Sequence, residues 1–576
     1  MIAKQEAVDV LIINAQIVDV FRMRAFPGWA TIRSGRFQYV EEGSLPDGIH
    51  ATNIIDCEGA FLVPGLIDTH LHIESSHMLP RTFAEAVLPQ GTTGILADPH
   101  EIANLAGEPG VAWLIEASKG LPLSVFFAAP SVVPIVSAEL ETPNAELDSA
   151  AIERICANPQ VLSIGEIHDY RGVAAGEPHL LALEGVSLRS GRKIEGHIPE
   201  LMGRDLSRYI AMGVTSDHTL FSPKQLLEEL SKGVYVMLQR KALTQEIISV
   251  IAGLPDRSRI LFVTDDVSPS ELCEGHLLAI VKLGISLGLS PIEAFASATI
   301  RAATYLGLHR RGAIAPGRRA DFWTTKNLDT PIPMSVYVKG QHVASDGRIV
   351  KGAVPHTSLD SINLISPPIP GPLREDDVRL VPNSLGETRI SARAIELLSN
   401  ENSLTGLTEV QVNVRNGHPL LEADDDLCVI GVISRTNPQS MSYALLKGFG
   451  LTAGGVASSV AHDTHNLIVA GRDPASMVAA ANEVHRLGGG IAFALEDCIE
   501  SALPLPIAGL LSDADLDTIV RQARDVEESM RTYGVSHREP LLMLTLLALS
   551  VSPHYKMTDR GIVDVKQRKL LPPLLS

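Results

Sequence analysis

The stretch FLVPGLIDTHLH, residues 61–72, passes from a continuous apolar segment into two histidines that stand two positions apart. An apolar run of this length predicts a strand buried on both faces, as in a parallel sheet. In a strand, residues i and i+2 point to the same side, so His70 and His72 are predicted to face one common space. The motif therefore indicates a buried strand that ends in a pair of candidate metal ligands.

Seven further runs of this kind follow, and each ends in polar or charged residues. Helix-length segments separate them, such as PKQLLEELSK at 223–232, whose apolar spacing suits helices packed on a sheet. Strict alternation of strands and helices predicts a parallel sheet, and eight repeats close a barrel. An open doubly wound sheet is the alternative, but no GxGxxG turn supports it. The seven runs are TTGILADPHE from residue 92, LSVFFAAPS from 123, VLSIGEIHD from 161, KIEGHIPE from 193, GVTSDHTL from 213, GVYVMLQR from 233 and ILFVTDD from 260.

The segments on either side of the barrel are rich in short apolar runs and turns, and they predict a small β-sandwich built from both. The Pro-rich ISPPIPGPLRE at 365–375 predicts a linker, and strand-like and helix-like segments are mixed after it. The chain is thus expected to be an α/β protein. The expected domains are the first part of the sandwich at 1–63, a TIM-type (β/α)8 barrel at 64–311, the second part of the sandwich at 312–360, a linker at 361–376 and a C-terminal α+β domain at 377–576.

Composition and charge describe an acidic globular protein with more than one domain, because 576 residues exceed a single hydrophobic core. The 48 Lys and Arg against 67 Asp and Glu give a formal net charge of −19, which disfavours nucleic acid as a partner. Five cysteines without a CxxC pair predict neither a thiolate zinc site nor disulfides. No secretory signal is visible, and the most apolar late stretch, 541–549, is too short to span a bilayer. We therefore expect a cytoplasmic protein without a membrane partner.

Six ionisable residues fall near the C-terminal ends of five predicted strands, the face where barrel enzymes carry their active sites. Burying six such groups together would be very costly without a cation, so we predict a metal centre. Imidazole and carboxylate ligands suit zinc, manganese or ferrous iron, and six ligands suit two ions that share Glu166. Such ions would supply a hydroxide nucleophile, with Asp265 taking its proton and delivering it to the leaving group. The six candidates are His70, His72, Glu166, His197, His218 and Asp265.

Two motifs resemble signatures of the amidohydrolase superfamily: PGLIDTHLH at 64–72 in strand one, and GAIAPGRRAD at 312–321 after the barrel. Many binuclear members carry a carboxylated lysine at the end of strand four, where this chain has Glu166. That difference is similar to the pattern of bacterial adenine deaminases, as are HIESSHM at 72–78, ADPHEIAN at 97–104, TSDH at 215–218 and TDDVSP at 264–269. The resemblance extends over nearly the whole chain through SSVAHDTHNLIVAG at 458–471, RLGGGIA at 486–492 and LPLPIAGLLSD at 503–513.

The resemblance implies hydrolytic deamination of adenine to hypoxanthine and ammonia, through attack of water on C6. It also implies two ions per site, Mn²⁺ or Fe²⁺, with Zn²⁺ as an alternative. We expect adenine as the small-molecule partner, and a homo-oligomer. The alternatives are another amidohydrolase, acting on a cyclic amide, an N-acetyl group or another nucleobase, and a non-catalytic metal-binding scaffold. The ligand sets implied are His70, His72 and Asp265 for one ion and His197 and His218 for the other, with Glu166 bridging both.

Asp98, His100 and Glu101 end the second run and are predicted to face the same opening. We assign His100 and Glu101 to catalysis and Asp98 to substrate binding, because they would orient the purine or move a proton to its ring nitrogen. A salt-bridged loop cap is the structural alternative for all three. His77 and Glu200 are further candidates for contact with substrate.

Several ionisable residues near these motifs are predicted to play local roles. His168 is expected to make a local hydrogen bond, and Asp217 and Asp266 to bond to liganding histidines. His462 and His465 lie three positions apart, but no further ligands follow at a natural spacing. We therefore expect them in a turn packed against the barrel opening and not in a second metal site.

Overall fold

The structure is a computed structural model that describes residues 6–199, 201–220, 222–355, 364–381, 387–400, 403–422 and 425–575. Within these ranges, no helix has the length and apolar character needed to cross a bilayer. The described chain forms a mixed sheet, a barrel and a C-terminal region. The barrel lies, in the sequence, between the first and the second group of strands of the mixed sheet.

The described chain begins in strands that surround one long strand, Glu6–Asp19. This strand pairs antiparallel with the second strand and parallel with the fourth and the fifth. The five strands are β1 (Glu6–Asp19), β2 (Arg24–Arg33), β3 (Arg36–Glu42), β4 (Ile49–Asp56) and β5 (Phe61–Pro64).

Eight parallel strands follow within the described residues, and each corresponds to one of the apolar runs in the sequence. They are β6 (Leu66–Leu71), β7 (Thr92–Ala97), β8 (Ser124–Ala129), β9 (Val161–Ile167), β10 (Lys193–Gly196), β11 (Ser216–Asp217), β12 (Tyr235–Leu238) and β13 (Ile260–Phe262). Strands β6 to β10 form one sheet and β11 to β13 another. Parallel bridges from Ile194 to Val214 and from Leu71 to Asp265 join the two sheets at both edges. The ring of strands is closed, so the predicted barrel is confirmed.

Half of the twelve described barrel helices begin at a residue whose side chain caps the first turn. In the helix after β11, for example, the Ser222 hydroxyl accepts a hydrogen bond from the Gln225 amide (3.3 Å), and Leu226 is fully buried. The barrel helices are α1 (Pro80–Val87), α2 (His100–Ala117), α3 (Ser149–Cys156), α4 (Tyr170–Ala175), α5 (Pro178–Ser190), α6 (Gly203–Ala211), α7 (Pro223–Ser231), α8 (Gln245–Gly253), α9 (Pro269–Leu272), α10 (His276–Ser286), α11 (Pro291–Ser297) and α12 (Ile300–Tyr305).

After the barrel the chain returns to the first sheet. The returning strands are β14 (Phe322–Thr325), β15 (Ser335–Val338), β16 (Gln341–Ser345) and β17 (Arg348–Ile349). Strand β14 pairs antiparallel with β5, so strands from both sides of the barrel join in one nine-stranded sheet. The two β-rich segments of the sequence therefore combine, while their arrangement as a sandwich stays a prediction.

The C-terminal region contains a nine-stranded sheet, a small three-stranded sheet and helices. Its strands are β18 (Thr388–Leu397), β19 (Thr405–Arg415), β20 (His418–Leu420), β21 (Leu427–Ile433), β22 (Met441–Lys447), β23 (Gly455–Ser458), β24 (Leu467–Gly471), β25 (Gly490–Leu495), β26 (Cys498–Pro504), β27 (Tyr555–Thr558), β28 (Gly561–Asp564) and β29 (Lys569–Leu571). Its helices are α13 (Pro474–Arg486), α14 (Leu516–Thr532) and α15 (Pro540–Leu546).

The C-terminal region packs on loops that leave the C-terminal ends of the barrel strands. Thr142, between β8 and α3, donates its amide (2.9 Å) and its hydroxyl (2.5 Å) to the Asp559 carboxylate. The Asn466 side chain donates to the Thr142 carbonyl (3.1 Å), and the Ser512 amide donates to the His77 carbonyl (2.9 Å). The C-terminal region thus lies at the barrel face where the sequence predicts the active site.

Candidate metal centre

The six predicted ligands all lie at the C-terminal ends of barrel strands. His70 is the fifth residue of β6, and Glu166 is the sixth residue of β9. His197 and His218 are the first residues after β10 and β11. Because the strands are parallel and the barrel is closed, these ends meet at one opening. The other two, His72 and Asp265, follow β6 and β13.

The Glu166 carboxylate lies at the centre of the cluster, and its two oxygens face different histidines. Oε1 lies 3.4 Å from His70 Nε2 and 3.3 Å from His72 Nε2. Oε2 lies 2.7 Å from His197 Nδ1 and 3.1 Å from His218 Nε2. One carboxylate therefore contacts all four candidate histidine ligands, two through each oxygen.

Asp265 closes the cluster from the other side of the barrel. Its Oδ1 lies 3.3 Å from His72 Nε2 and 3.7 Å from His70 Nε2, and its Oδ2 lies 4.0 Å from His218 Nε2. Its backbone has φ of 63°, a left-handed conformation uncommon for a residue other than glycine and found preferentially at functional sites. The amide of Asp265 donates to the His70 carbonyl (3.1 Å), which holds this turn against β6.

Burial and charge interact strongly in the cluster. Glu166, His70, His72 and His218 are each at most 3% exposed. Burial would raise the pKa of Glu166, but the imidazoles of His168, His218 and His70 together hold that pKa well below its usual range. Burial opposes the charged form of His218, but Glu166 and Asp265 raise the pKa of this imidazole to about 9. The pocket thus keeps its carboxylates ionised although little water reaches them.

The donor atoms fit a divalent cation. Triplets of donor atoms within 4.8 Å of one another include His70–His72–Asp265 and His70–Glu166–His218. The buried Nε2 atom of His70 has no hydrogen-bond partner among the described residues, which a ligand atom facing a cation would explain. Nitrogen and carboxylate donors without sulfur are the set that Mn²⁺, Fe²⁺ and Zn²⁺ accept.

Other side chains hold the candidate ligands in place. Asp98 Oδ2 accepts from the Glu166 amide (3.0 Å), and the Asp98 carbonyl oxygen lies 3.0 Å from His72 Nδ1. Ser131 Oγ donates to the Glu166 carbonyl (2.5 Å). The Gln239 amide donates to the His218 carbonyl (3.0 Å) and to Asp265 Oδ2. These contacts fix the direction of the ligands before any ion binds.

Asp217 and Asp266 are expected from the sequence to bond to liganding histidines, but the structure shows each of them bonded to another group. Asp217 Oδ1 accepts from the Ile198 amide (2.8 Å) and so fixes the loop that carries His197. Asp266 Oδ1 accepts from Ser75 Oγ (2.5 Å). His168, by contrast, points into the site, with Nε2 3.2 Å from Glu166 Oε1, which agrees with the local contact expected for it.

His100 and Glu101 are both buried at the opening but face different neighbours. The His100 ring lies 4.4 Å from the His72 ring, centroid to centroid. Glu101 turns away from the four imidazoles of the cluster towards the C-terminal region, where its Oε1 lies 2.7 Å from His462 Nδ1 and its Oε2 contacts His465 Nε2. His462 and His465 thus lie at the barrel opening, as the sequence indicated.

His77 is buried at the junction of the barrel and the C-terminal region, and burial lowers the pKa of its imidazole to about 4. Its backbone carbonyl accepts from Ser512, so it contributes to the junction. Glu200, the other predicted contact with substrate, lies outside the described residues.

Two site residues were missed or given little weight at the sequence level. Gln239 follows β12 directly, and the rule that polar residues at strand ends face the opening would have identified it. Asp463 lies 3.8 Å from His100 Nε2, although 363 positions separate them in the chain. No periodicity or spacing predicts that contact.

The chain is similar to known proteins over nearly all of its length. The model of the amidohydrolase family matches residues 61–350, and that of the adenine deaminase C-terminal domain matches residues 402–569. "Adenine deaminase" from Nitratidesulfovibrio vulgaris (strain DP4) is 35% identical over 98% of this chain and 96% of its own. "Adenine deaminase" from Desulfatibacillum aliphaticivorans is 35% identical over 97% of this chain and 95% of its own. A solved structure described as an adenine deaminase is a weaker match, with a TM-score of 0.46 and 16% identity over 59% of this chain and 100% of its own.

Proposed function

Since the chain belongs to the adenine deaminase family of the amidohydrolases, we propose that it converts adenine and water to hypoxanthine and ammonia. The relatives match this chain over nearly all of its length and theirs, so the proposal concerns the whole protein. The observation that carries it is the cluster of four imidazoles around Glu166, with Asp265 beside it, at the opening of the barrel.

We propose that the cluster holds two divalent cations, Mn²⁺ or Fe²⁺, with Zn²⁺ as an alternative. The division of the imidazoles between the two oxygens of Glu166 supports a carboxylate shared by both ions. When bound, such cations lower the pKa of water towards neutrality and so supply the attacking hydroxide. The proposed ligands are His70, His72 and Asp265 for one ion, His197 and His218 for the other, and Glu166 for both.

Asp265 is the group proposed to move protons at the reacting carbon. Its pKa is held well below the usual range because the imidazoles of His218 and His72 outweigh its burial, so the carboxylate is ionised. It takes the proton of the attacking water and returns it to the amino group at C6, which leaves as ammonia. Gln239 orients the carboxylate for both transfers.

A second proton is needed at ring N1 while water adds to C6, and the hydroxyl on C6 releases its own proton to solvent as the C6 carbonyl forms. His100 is proposed to donate it, because this imidazole is buried beside His72 and reaches the same opening. Asp98 Oδ1 lies 3.7 Å from His100 Nδ1, and Asp98 Oδ2 accepts a hydrogen bond from the Glu166 amide. Asp98 is therefore proposed to hold residues 98–101 in place where they face the substrate. The roles of His77 and Glu200 in substrate binding remain proposals.

The test is ammonia release by protein produced with added manganese and limited iron. Adenine is the expected substrate, with adenosine, guanine and cytosine as comparisons. A Glu166→Gln variant should lose both activity and bound metal, because the amide carries no charge and only one oxygen. Activity confined to a cyclic amide would refute the proposal, and full activity with both ions in Glu166→Gln would refute the bridging role.

We also propose the domain boundaries and the assembly. The family matches at 61–350 and 402–569 support a barrel at 64–311 and a C-terminal domain at 377–576. The pairing of β14 with β5 supports one unit built from 1–63 and 312–360, which we propose is a sandwich. Residues 364–374, in the proposed linker, form neither helix nor strand. A homo-oligomeric state and a cytoplasmic location stay predictions.

A further inference from the structure

The loop between β23 and β24 brings three ionisable side chains of the C-terminal region to the barrel opening. His462, Asp463 and His465 are 4%, 3% and 0% exposed. The deamination steps proposed above use none of them. We call residues 460–466 the capping loop.

The capping loop engages both oxygens of Glu101. His462 Nδ1 lies 2.7 Å from Glu101 Oε1, and His465 Nε2 contacts Oε2. Glu101 is 1% exposed and lies in the first turn of α2, where the helix dipole favours a negative charge. Its carboxylate is thus enclosed between two imidazoles of another domain.

The hydrogen bonds of His465 determine which of its nitrogens carries the proton. The Ala461 amide donates to His465 Nδ1 (3.1 Å), so this nitrogen is an acceptor without a hydrogen. The ring proton is therefore on Nε2, the nitrogen that contacts Glu101 Oε2. The buried Arg435 guanidinium donates to the Ser459 carbonyl (2.7 Å) just before the loop, and its charge opposes a positive charge on His465.

Glu101 and Asp463 together surround the imidazole proposed to protonate the substrate. His100 Nε2 lies 3.5 Å from Glu101 Oε1 and 3.8 Å from Asp463 Oδ2. On its other side the His100 ring packs against the His72 ring. The orientation of His100 therefore depends on contacts that the capping loop controls.

We propose that the capping loop completes the active site from the C-terminal domain, with His462 and His465 holding Glu101 as a positioning residue for His100. The inference rests on the proposed function and changes the part assigned to Glu101, which then positions His100 and transfers no proton itself. The two imidazoles hold the pKa of Glu101 well below its usual range in spite of its burial, which agrees with a permanent carboxylate.

The geometry allows a test with paired substitutions. An Asn amide places its nitrogen near the position of Nδ1, whereas a Gln amide reaches the position of Nε2. At position 462, Asn should retain activity and Gln should lower kcat about 100-fold, the cost of a misplacement of roughly 1 Å. At position 465 the order should reverse, with Gln active and Asn impaired. Equal losses from Asn and Gln at each position would overturn the inference.

A double-mutant cycle separates positioning from a general effect on folding. If the loop acts through Glu101, His465→Asn should lower kcat in the parent but cause little further loss in Glu101→Gln. His485→Asn, on α13 of the same domain, serves as control, because its Nδ1 lies 2.9 Å from the Ile369 carbonyl oxygen in the proposed linker. Additive losses would contradict the proposal.

The same proteins yield a second measurement that does not depend on adenine. Coupling between positions 101 and 465 should also appear in thermal unfolding, with the double variant less destabilised than the sum of the single variants. A parent that releases no ammonia from adenine would refute the proposed function, whereas absent coupling in unfolding would refute the role of the loop. Metal content should stay unchanged in all variants, because none alters a proposed ligand.

Discussion

Asp265→Asn is expected to remove most of the activity while preserving the fold. Asp265 Oδ2 accepts from the Gln239 amide, and Oδ1 lies 3.3 Å from His72 Nε2. An asparagine can keep the contact with Gln239 through its oxygen, and its NH₂ group then faces His72 and His70. The side chain retains its volume but loses its negative charge and its ability to accept a proton.

The magnitude follows from the role of the group that is lost. Removal of a positioned proton acceptor typically costs about 10²- to 10⁴-fold in rate. A loss of about 10³-fold in kcat/KM corresponds to about 4 kcal/mol of transition-state stabilisation. Because the lost group acts in the chemical step, we expect kcat to change more than KM. Because the charge of Asp265 also faces the proposed metal, we expect the metal content to fall.

The assay is ammonia release from adenine over a range of concentrations, together with metal analysis and circular dichroism of the same samples. Asp266→Asn is the matched control, since Asp266 is the next residue and bonds to Ser75 Oγ outside the cluster. The control should stay close to the parent. A folded Asp265→Asn protein with kcat/KM within about tenfold of the parent would refute the reasoning about proton transfer.

Three other perturbations follow from the same contacts. Gly165→Ala would place a Cβ 2.2 Å from Asp98 Oδ2 and so displace the acceptor of the Glu166 amide; activity should fall and stability should drop by about 1–3 kcal/mol. Gly94→Ala, whose Cβ would meet its nearest atom at 3.7 Å, should cost much less in the same melting assay. Burial and the neighbouring charge of Asp559 together raise the pKa of the Glu141 carboxyl to about 8. The protonated carboxyl therefore contributes its full share to the free energy of unfolding below the ordinary pKa of a glutamate, and this contribution is lost as the pH rises through about 8. The stability of the parent relative to Glu141→Gln should accordingly fall between about pH 5 and about pH 9 in chemical denaturation, and a constant difference would contradict this. Chelation should abolish ammonia release and lower Tm, and added Mn²⁺ should restore both, because a cation that binds only the folded state stabilises it; activity that survives complete chelation would argue against a metal centre.

The barrel could be predicted because each strand carries its own signal. The run before His70 and His72 is apolar on both faces, and such runs recur eight times with helices between them. Local patterns of this kind depend only on near neighbours in the chain. The convergence of the six candidate ligands then follows from closure of the barrel, which the bridge between Leu71 and Asp265 completes. Their binding of metal is still a proposal.

The contacts between domains could not be predicted in the same way. Glu101 and His465 each attract attention in their own segments, but neither segment predicts their contact, and His100 meets Asp463 only because one domain packs on another. The conformation of Asp265 and the division of the histidines between the two oxygens of Glu166 depend instead on packing within the closed barrel.

The sequence alone therefore determined the barrel, the family resemblance and the set of candidate ligands, since periodicity and strand-end position are properties of short segments. Only the tertiary structure decided which carboxylate oxygen meets which imidazole and which domain encloses Glu101. Those choices depend on distances between residues that lie tens to hundreds of positions apart in the chain. Buried charges tolerate few alternative arrangements once the chain has closed around them.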